Sequence, residues 1–378
     1  MAKKKEEIGN LDDMVAALNQ KCGNHTMFYG TDPTAKDPDR VPSGIFSVDF
    51  SSGGGIPIWG SACYWGGNSV GKTALALNNA AMTTKICWRC FQFLDFCTCS
   101  QNSLLMRTAW ADAEGTLNIP WAANIGVDTD KLAVIMGDSG EQYVDICRSV
   151  LQADDLGLLV IDSLAALSPS AEMESSSEDS FYALQARLIG RMVRNLKQQI
   201  IRERKREHPC AIIFINQMRS KIGVLFGSPD TMSGGNGMMH EFSLLIRCNK
   251  IALSSDDKAK YTNTERKKQI GVRHSFSIKK NKVFTIAGSG EYVRVTESLP
   301  EFGLKAGQID DYSTVMKYAK ECGIVRKPQK GTGWKYFNYK AKTLGDIVQV
   351  WKTKPNEYLK TQKAIIDITK EKIKNAKC

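Results

Sequence analysis

The sequence predicts an α/β protein built on a mostly parallel, twisted sheet with helices on both faces. A glycine-rich phosphate-binding motif stands between a short apolar run and a helix-prone run. Two later apolar runs, 156–162 and 210–217, each end in a polar side chain. Continuous apolar runs of this length are typical of parallel strands buried on both faces. In such sheets ligands bind beyond the carboxyl ends of the strands, so polar residues there indicate a site.

The composition fits a globular protein with one large domain and one smaller one. The chain has 378 residues, of which 42% are hydrophobic and 24% are charged. No run of 18 apolar residues and no apolar segment typical of a secretory signal is present, so we expect no membrane association and no export. The eleven cysteines are then expected to be reduced in a cytoplasm, and a cysteine cluster is interpreted as a metal site.

Segment 1–44 is interpreted as an N-terminal helix followed by a linker. Within residues 8–21, four apolar side chains recur at the spacing of one helix face: Leu11, Met14, Val15 and Leu18. Three prolines follow between Gly30 and Gly44, a composition typical of turns. The apolar stripe of the helix must be buried, either on its own domain or on a neighbouring subunit.

Residues 66–73 have the form G-x-x-x-x-G-K-T, the pattern of a P-loop. Glycines let backbone N–H groups close around phosphate oxygens, and a lysine supplies charge to the β- and γ-phosphates. The Thr73 hydroxyl is a ligand for Mg²⁺. The alternative is a glycine-rich turn that matches by chance. The predicted nucleotide-binding residues of the motif are Gly66, Gly67, Asn68, Ser69, Val70, Gly71, Lys72 and Thr73.

Carboxylates follow two of the predicted strands. Asp112 and Glu114 come after one of them, and Glu114 is suited to orient and deprotonate a water that attacks the γ-phosphate. Asp162 ends the apolar run 156–162 and is suited to support Mg²⁺. Trp121 is a candidate for stacking on a base, and the alternative is a packing role.

Four cysteines with the spacing C-x2-C-x6-C-x-C predict a structural Zn²⁺ site in segment 85–105. The first pair has the spacing of a zinc knuckle, whereas the second pair is tighter than usual. Four thiolates would complete a tetrahedral site in a segment that has little core of its own. The alternative is a hairpin with buried or redox-active thiols. The predicted zinc ligands are Cys87, Cys90, Cys97 and Cys99.

Two stretches are interpreted as functional loops on either side of a long helix at 181–207. The first, 171–179, is polar and acidic. The second, 219–236, has no helical or strand period and contains four glycines and a proline, and its basic and aromatic residues suit a nucleic-acid backbone and base faces.

The C-terminal part of the chain is strongly basic. Residues 312–378 contain 16 Lys and Arg against 5 Asp and Glu, so this stretch accounts for the whole formal net charge of +11. We interpret 291–378 as a small, separate α+β domain. Its charge suggests a polyanionic partner, and the alternative is a solvated lysine-rich surface.

These elements, in this order, resemble the RecA family of DNA recombinases. The similarity extends from about residue 10 to about residue 285 and thinly beyond. The stretch 214–223, which contains Asn-Gln-x-Arg-x-Lys-Ile-Gly, is far more specific than the P-loop. The resemblance implies a RecA-like P-loop ATPase core at 45–290. The other matching stretches are 66–73, 112–114, 160–167, 226–229, 234–236 and 280–282.

The resemblance implies an ATP- and Mg²⁺-dependent recombinase that forms helical filaments on single-stranded DNA. Such a protein pairs that strand with homologous double-stranded DNA, exchanges strands and hydrolyses ATP in response to DNA. The resemblance implies that Asp162 supports the metal and that Asn118 and Trp121 contact adenine. It also implies that residues 172–180 and 219–236 form two DNA-facing loops. Its catalytic residues would be Lys72, Glu114, the γ-phosphate sensor Gln217, and Lys280 and Lys282, which reach the ATP of a neighbouring subunit. Its DNA-binding residues would be Arg187, Arg194, Arg219, Lys221, Ile222, Gly223, Phe226, Gly234, Gly235 and Asn236.

The sequence departs from the family pattern in several places. The cysteine segment is an insertion without a counterpart in typical members, and the C-terminus is basic where bacterial members often end in an acidic tail. His240 stands near a position where bacterial members pack an aromatic ring across the interface. These features suggest a divergent or viral member, associated with a nucleoid or located in a host cytoplasm. Two alternatives are a mediator that binds DNA without exchanging strands and a zinc-stabilised DNA-binding module with a relic P-loop.

Overall fold

A computed structural model describes most of the chain. The residues it describes are 10–32, 37–99, 104–170, 178–220, 230–263, 266, 268–283, 286, 288–300, 303–329 and 331–376. The helices are α1 Leu11–Cys22, α2 Phe46–Ser52, α3 Lys72–Thr83, α4 Ile119–Ile125, α5 Gly140–Val150, α6 Glu178–Lys205, α7 Ser255–Lys260, α8 Tyr312–Glu321, α9 Leu344–Thr353 and α10 Pro355–Asn375.

The strands fall into one large sheet and three small ones. Their bounds are β1 Arg40–Val41, β2 Ile56–Pro57, β3 Ser61–Gly66, β4 Arg107–Asp112, β5 Leu132–Ile135, β6 Leu156–Asp162, β7 Ala211–Ser220, β8 Asp230–Met232, β9 Leu244–Ile251, β10 Thr262–Asn263, β11 Lys268–Gln269, β12 Gly271–Asn281, β13 Ser289–Val295, β14 Val325–Arg326, β15 Trp334–Tyr336 and β16 Tyr339–Ala341.

The large sheet has the order β13-β12-β9-β3-β7-β6-β4-β5, with β8 paired to the far end of β7. The strands from β9 to β5 are parallel, whereas β12 and β13 are antiparallel additions at one edge. This confirms the predicted α/β class. In the register, Gly66 lies opposite Gln217 and Asp112 lies opposite Asp162, so the carboxyl ends of four strands meet at one edge of the sheet.

Both faces of the sheet are buried under helices. Along β6 the side chains alternate, because successive residues of a strand point to opposite faces. Leu158 and Val160 join the cluster under α3, whereas Leu159 and Ile161 join the cluster under α5 and α6. The buried runs predicted at 156–162 and 210–217 are therefore central strands of a three-layer structure.

The helix α1 begins with a capping box, in which Asn10 and Asp13 exchange side-chain and backbone hydrogen bonds. None of the residues of α1 is buried, and Leu11 and Met14 are 53% and 42% exposed. Within the segment predicted as a linker up to residue 44, β1 pairs with β2 and Val41 is fully buried in the core. Among the described helices, none has the length and apolar content needed to cross a membrane.

The C-terminal part contains α8, α9, α10 and the antiparallel sheet β14-β15-β16 around its own core. Tyr336, Trp351 and Tyr358 pack against one another in this core. It is joined to the main domain through α2, where the ring centroids of Phe46 and Phe50 lie 5.5 and 4.6 Å from that of Tyr318. The last strand of the large sheet, β13, spans positions 290 and 291, where the sequence suggested the domain boundary.

The prediction that 219–236 lacks regular structure is wrong at both ends of that segment. The strand β7 continues to Ser220 and pairs antiparallel with β8, with Met218 opposite Met232. A 3-10 helix, Asn236–His240, follows. The sequence did not predict this hairpin, because the three residues of β8 are too few to show an alternating pattern and glycines lie on both sides of it. Residues 221–229 and 171–177, the centres of the two predicted loops, lie outside the described residues.

Candidate functional site

The P-loop runs from the end of β3 to the start of α3. Gly66 has φ 155° and a Cβ there would lie 2.2 Å from the carbonyl oxygen of Cys248, so only glycine fits. Gly71 caps α3 at φ 93°, and a Cβ there would lie 2.6 Å from the His274 ring. Close packing from beneath therefore fixes the loop at the N-terminus of α3, where backbone N–H groups and the helix dipole favour an anion.

The Lys72 ammonium group lies over the loop and is buried. It donates to the carbonyl oxygens of Gly67 and Gly66 at 2.6 and 3.3 Å. Burial lowers the pKa of Lys72, and the nearby Cys248, Asp162 and Glu114 partly oppose this effect. Among the described residues, the hydrogen-bond partners of this buried ammonium are neutral carbonyls, so it is well placed to gain from phosphate oxygens.

Thr73 and Asp162 supply oxygen ligands suited to Mg²⁺. The Thr73 hydroxyl donates to Asp162 Oδ2 at 2.9 Å. The pKa of Asp162 is raised to about 7, mainly by burial and also by the neighbouring Glu114 and Asp112, while Thr73 and Lys72 oppose this effect. A buried carboxylate beside other carboxylates is stabilised in its charged form by a divalent cation. Oxygen donors of this kind fit the hard Mg²⁺ ion.

Glu114 lies between the P-loop and the end of β7. Its Oε1 accepts hydrogen bonds from the Ser163 hydroxyl and, at 3.0 Å, from the Gln217 amide. The neighbouring Asp112 has a different environment, since its carboxylate accepts the backbone N–H groups of Thr116 and Leu117. Asp112 therefore shapes the loop that follows β4, while Glu114 keeps a carboxylate oxygen available to the cavity.

A cavity of about 500 Å³ opens above these residues. Asn118 and Trp121 form one side of it, and Asn118 also caps α4 by accepting the Trp121 N–H at 2.8 Å. Gly66 and Gly67 begin the loop just outside this lining. The predicted residues that the cavity brings together are Asn68, Ser69, Val70, Gly71, Lys72, Thr73, Glu114, Asn118, Trp121, Asp162 and Gln217.

Lys280 and Lys282 lie away from this cavity. Asn281, between them, pairs with Leu244 at the start of β9, whereas the P-loop lies beyond the other end of that strand. Lys280 Nζ donates to the carbonyl oxygens of Met239 and His240, and Lys282 Nζ donates to His240 at 3.1 Å. Burial and the charge of Lys282 lower the pKa of Lys280. Both ammonium groups therefore lie against the 3-10 helix that precedes β9, at the end of the sheet opposite the nucleotide cavity.

The predicted DNA-binding residues occupy two neighbouring surfaces where they are described. Arg187 and Arg194 are exposed and lie on one face of α6, seven residues apart. Gly234 and Gly235 adopt φ values of 91° and 80° after β8, and Asn236 begins the 3-10 helix. Arg219 lies on β7. Lys221, Ile222, Gly223 and Phe226 lie outside the described residues.

Asn216 connects the cavity to the second predicted loop. Its side-chain oxygen accepts the Gln217 N–H at 2.8 Å, and its amide donates to the carbonyl oxygen of Ser233 at 2.9 Å. Asn216 is fully buried. One hydrogen-bonded path therefore runs from Glu114 through Gln217 and Asn216 to the residue that precedes Gly234. The sequence indicated an amide at this strand end but not its partner.

Two basic residues that sequence patterns did not single out support the P-loop from the antiparallel edge. His274 donates from Nδ1 to the Val70 carbonyl oxygen at 2.9 Å and stacks on Tyr292, and burial lowers its pKa to about 4, so it is neutral near pH 7. Arg294 donates to the Gly307 carbonyl and to the Asn78 side chain on α3. A basic residue buried in an alternating strand is the pattern that would have identified both.

The four predicted zinc ligands converge. All four sulfur atoms lie within 4.8 Å of one another, with Cys87 to Cys99 at 3.8 Å and Cys90 to Cys97 at 3.6 Å. Tetrahedral ligation with Zn–S bonds of about 2.3 Å places sulfur atoms about 3.8 Å apart. These residues therefore fit a zinc ion.

The ionisation of the thiols also favours a cation. Burial opposes ionisation of Cys87, but backbone N–H groups of Cys90, Arg89 and Leu104 outweigh it and lower the pKa of Cys87 to about 6. In contrast, hydrogen bonding with Cys90 and partial burial raise the pKa of Cys99 to about 12. One thiolate therefore suppresses ionisation of its neighbour, and only a bound cation stabilises four thiolates together.

The parallel sheet, the P-loop, the Thr73–Asp162 pair and a second carboxylate at the strand ends define the class of P-loop nucleotide-binding proteins. A family model described as the RecA N-terminal domain matches residues 9–290. The chain therefore belongs to the RecA family, which confirms the resemblance noted in the sequence.

Individual relatives cover most of the chain. Protein RecA of Geobacter metallireducens is 37% identical over 258 residues, which are 68% of this chain and 67% of that protein. Protein RecA of Brucella anthropi is 31% identical over 310 residues, 82% of this chain and 79% of that protein. The mitochondrial DNA repair protein recA homolog of Dictyostelium discoideum is 33% identical over 243 residues, 64% of this chain and 49% of that protein.

Proposed function

We propose that the protein is an ATP-dependent DNA recombinase that assembles into helical filaments on single-stranded DNA and exchanges strands with homologous duplex DNA. Membership of the RecA family supports the class of activity. The observation that carries the proposal is the hydrogen-bonded path from Glu114 through Gln217 and Asn216 to Ser233. This path links a carboxylate of the nucleotide cavity to the base of the second DNA-facing loop.

In the proposed reaction, the P-loop backbone and Lys72 hold the triphosphate, and Asn118 and Trp121 border the base. Bound Mg²⁺, held by Thr73 and Asp162, would neutralise charge on the phosphates. Glu114 orients the attacking water and accepts its proton, a role that needs a carboxylate oxygen free of a cationic partner. Its hydrogen bonds from Ser163 and Gln217 fix the position of that oxygen.

DNA coupling follows from the position of Gln217 in this proposal. When the γ-phosphate is present, the Gln217 side chain has a second partner in the cavity, and its neighbour Asn216 holds the hairpin through Ser233. A change at the phosphate therefore alters the anchor of the loop. Arg187 and Arg194 on α6, with Arg219 to Asn236, would then contact the strand.

The proposed filament uses two surfaces of this chain that lie outside the lining of the nucleotide cavity. Lys280 and Lys282 lie at the opposite edge of the sheet, where they would reach the nucleotide of the next subunit. The partly exposed stripe of α1, at Leu11 and Met14, would pack on a neighbour. Contacts between different surfaces of successive copies generate open helical assemblies. The basic C-terminal domain would attract the duplex.

The test of this proposal is ATP turnover measured with and without DNA. We expect single-stranded DNA to raise turnover several-fold, and the same protein to pair a labelled strand with a homologous duplex but not with an unrelated one. ATP hydrolysis that is indifferent to DNA would contradict the coupling. DNA-stimulated hydrolysis without pairing would identify a mediator that binds DNA without exchanging strands.

We also propose that Cys87, Cys90, Cys97 and Cys99 bind one structural Zn²⁺. Elemental analysis of the purified protein should give about one zinc per chain, and Cys97→Ser should lower this to less than half. Cys322→Ser is the matched control, because Cys322 lies in α8's C-terminal cap outside the cluster and should leave the zinc content unchanged. A wild-type protein without zinc, whose four thiols all react freely, would refute the site.

A further inference from the structure

The four-cysteine segment, residues 85–99, lies between the ATPase core and the C-terminal domain. Its first half is fixed to the core. The Trp88 indole N–H donates to the carbonyl oxygen of Thr83 at the end of α3, and its ring packs so closely on β6 that a Cβ at Gly157 would lie 2.6 Å from it. Ile86, Trp88 and Phe93 are buried in the core cluster under α3.

The second half of the segment is held less firmly: Phe96 packs against the same core cluster while only partly buried, and the Leu94 N–H donates to the Lys85 carbonyl oxygen at 3.0 Å. Residues 94–99 contain no buried side chain, and this stretch includes two of the four cysteines. Its backbone is folded by short-range hydrogen bonds, such as Cys97 N–H to the Leu94 carbonyl at 3.1 Å. With only partial apolar burial, a stretch of this kind depends on ligation to keep one conformation. Ligation of Cys97 and Cys99 would therefore add a fixed attachment to the limited packing of Phe96.

This weakly anchored half makes the contacts to α10. The Lys360 ammonium lies 4.3 Å from the centroid of the Phe96 ring and 5.3 Å from that of Phe337. The Asn356 side-chain amide donates to the Asp95 carboxylate. Both α10 residues lie within its first two turns. Between the segment and α10 is a cavity of about 150 Å³, lined by Phe91 and Phe93 on one side and Leu359 on the other.

The C-terminal domain has further attachments that do not involve the cysteines: Leu359 of α10 is buried in the core cluster under α3, and Lys370 pairs with Asp37 at 3.3 Å. Phe46 and Phe50 of α2 pack on Tyr318, and the Phe46 N–H donates to Asp311 Oδ2 at 3.1 Å. Tyr336, Trp351 and Tyr358 form a core inside the domain. Loss of the contacts at Asp95 and Phe96 would thus loosen the first turns of α10, while the other attachments keep the domain folded and joined to the ATPase core.

We propose that the four-cysteine segment is a zinc-dependent clamp that holds the C-terminal domain in a defined position on the ATPase core. This inference rests on the proposed zinc site. The metal fixes residues 94–99, these present Asp95 and Phe96 to α10, and α10 carries the basic domain. Because the segment begins where α3 ends, the clamp also joins the basic domain to the helix that starts at the P-loop.

Amide hydrogen exchange of the full-length protein tests the clamp. The protein is compared as purified with zinc, after chelation, and after zinc is restored. We expect chelation to speed exchange roughly tenfold or more in residues 94–99 and in residues 359–366 of α10, and zinc to reverse both changes, while β6 is unaffected. Faster exchange in 94–99 with unchanged exchange in 359–366 would overturn the clamp and leave the zinc site intact.

A pair of lysine variants tests the contact while the metal stays bound. Lys360→Ala should speed exchange in residues 359–366 about threefold to tenfold with zinc content unchanged, because it removes the ammonium from the Phe96 ring. Lys327→Ala is the matched control, since its ammonium lies 5.5 Å from the Trp334 ring elsewhere in the same domain. Equal exchange in both variants would overturn the clamp. These readouts are independent of ATP turnover, so they fail or succeed separately from the recombinase proposal.

Discussion

Replacing Glu114 by glutamine is expected to lower ATP turnover by about 10²- to 10⁴-fold while ATP binding is retained. Glutamine has the same shape, and its carbonyl oxygen can still accept the hydrogen bonds from Ser163 and Gln217. It cannot accept a proton from the attacking water. Single-turnover hydrolysis and equilibrium binding of a fluorescent ATP analogue measure the two properties separately. The filament on single-stranded DNA should persist longer than in the wild type, because hydrolysis no longer ends the ATP-bound state.

The control for this variant is Glu291→Gln. Glu291 lies on β13, where it forms a surface ion pair with Arg273 away from the cavity. Exposed pairs of this kind contribute little, so turnover should stay within about twofold of the wild type. If Glu114→Gln instead abolishes ATP binding, then Glu114 holds the nucleotide or the loop, and its assignment as the general base is wrong.

Replacing Gln217 by alanine is expected to abolish the stimulation of ATP turnover by single-stranded DNA while basal turnover stays within about threefold. The substitution removes the amide that bonds to Glu114 at 3.0 Å, but the Ser163 hydroxyl still donates to the same Glu114 oxygen, and Lys72 and Asp162 are unchanged. A loss of coupling between two sites is typically worth about 1–3 kcal/mol, or about 5- to 150-fold in affinity. The affinity for labelled DNA should therefore become nearly equal with ATP and with ADP.

Turnover titrated with DNA, together with DNA binding measured in both nucleotide states, checks this expectation. Gln349→Ala provides a matched substitution, because Gln349 is exposed on α9 and lies in the C-terminal domain. If basal and stimulated turnover fall in parallel in Gln217→Ala, the amide serves the chemical step alone. The path through Asn216 to Ser233 would then have no role in coupling.

The parts of the site that the sequence predicted are those whose residues form short patterns along the chain. Gly66, Gly71, Lys72 and Thr73 fall in one eight-residue motif, and Asp162 ends a strand whose length and apolar character are visible in the sequence. The cysteine spacing likewise limits where the sulfur atoms can lie. Each of these inferences needs only a few consecutive residues.

The parts that the sequence did not predict depend on pairing between distant segments. His274 supports Val70 across 204 positions of the chain, and Arg294 reaches Asn78 across 216. An alternating strand can mark each basic residue as buried, but it does not reveal the distant partner that the residue contacts. The hairpin of β7 and β8 was missed for a related reason, since a three-residue strand is recognised only by its partner. The strand β13 belongs to the large sheet because it pairs with β12, and Tyr292 and Arg294 are buried there.

The helix α3 sets a fixed distance between the P-loop and the four-cysteine segment. Its 12 residues rise about 1.5 Å each, so some 18 Å of rigid backbone separates its two ends. The P-loop lies at one end of α3, and the four-cysteine segment begins just after the other end. A contact made at the C-terminal end of a rigid helix changes the surroundings of that end without bending the N-terminal end. The four-cysteine segment can therefore contact α10 without distorting the P-loop.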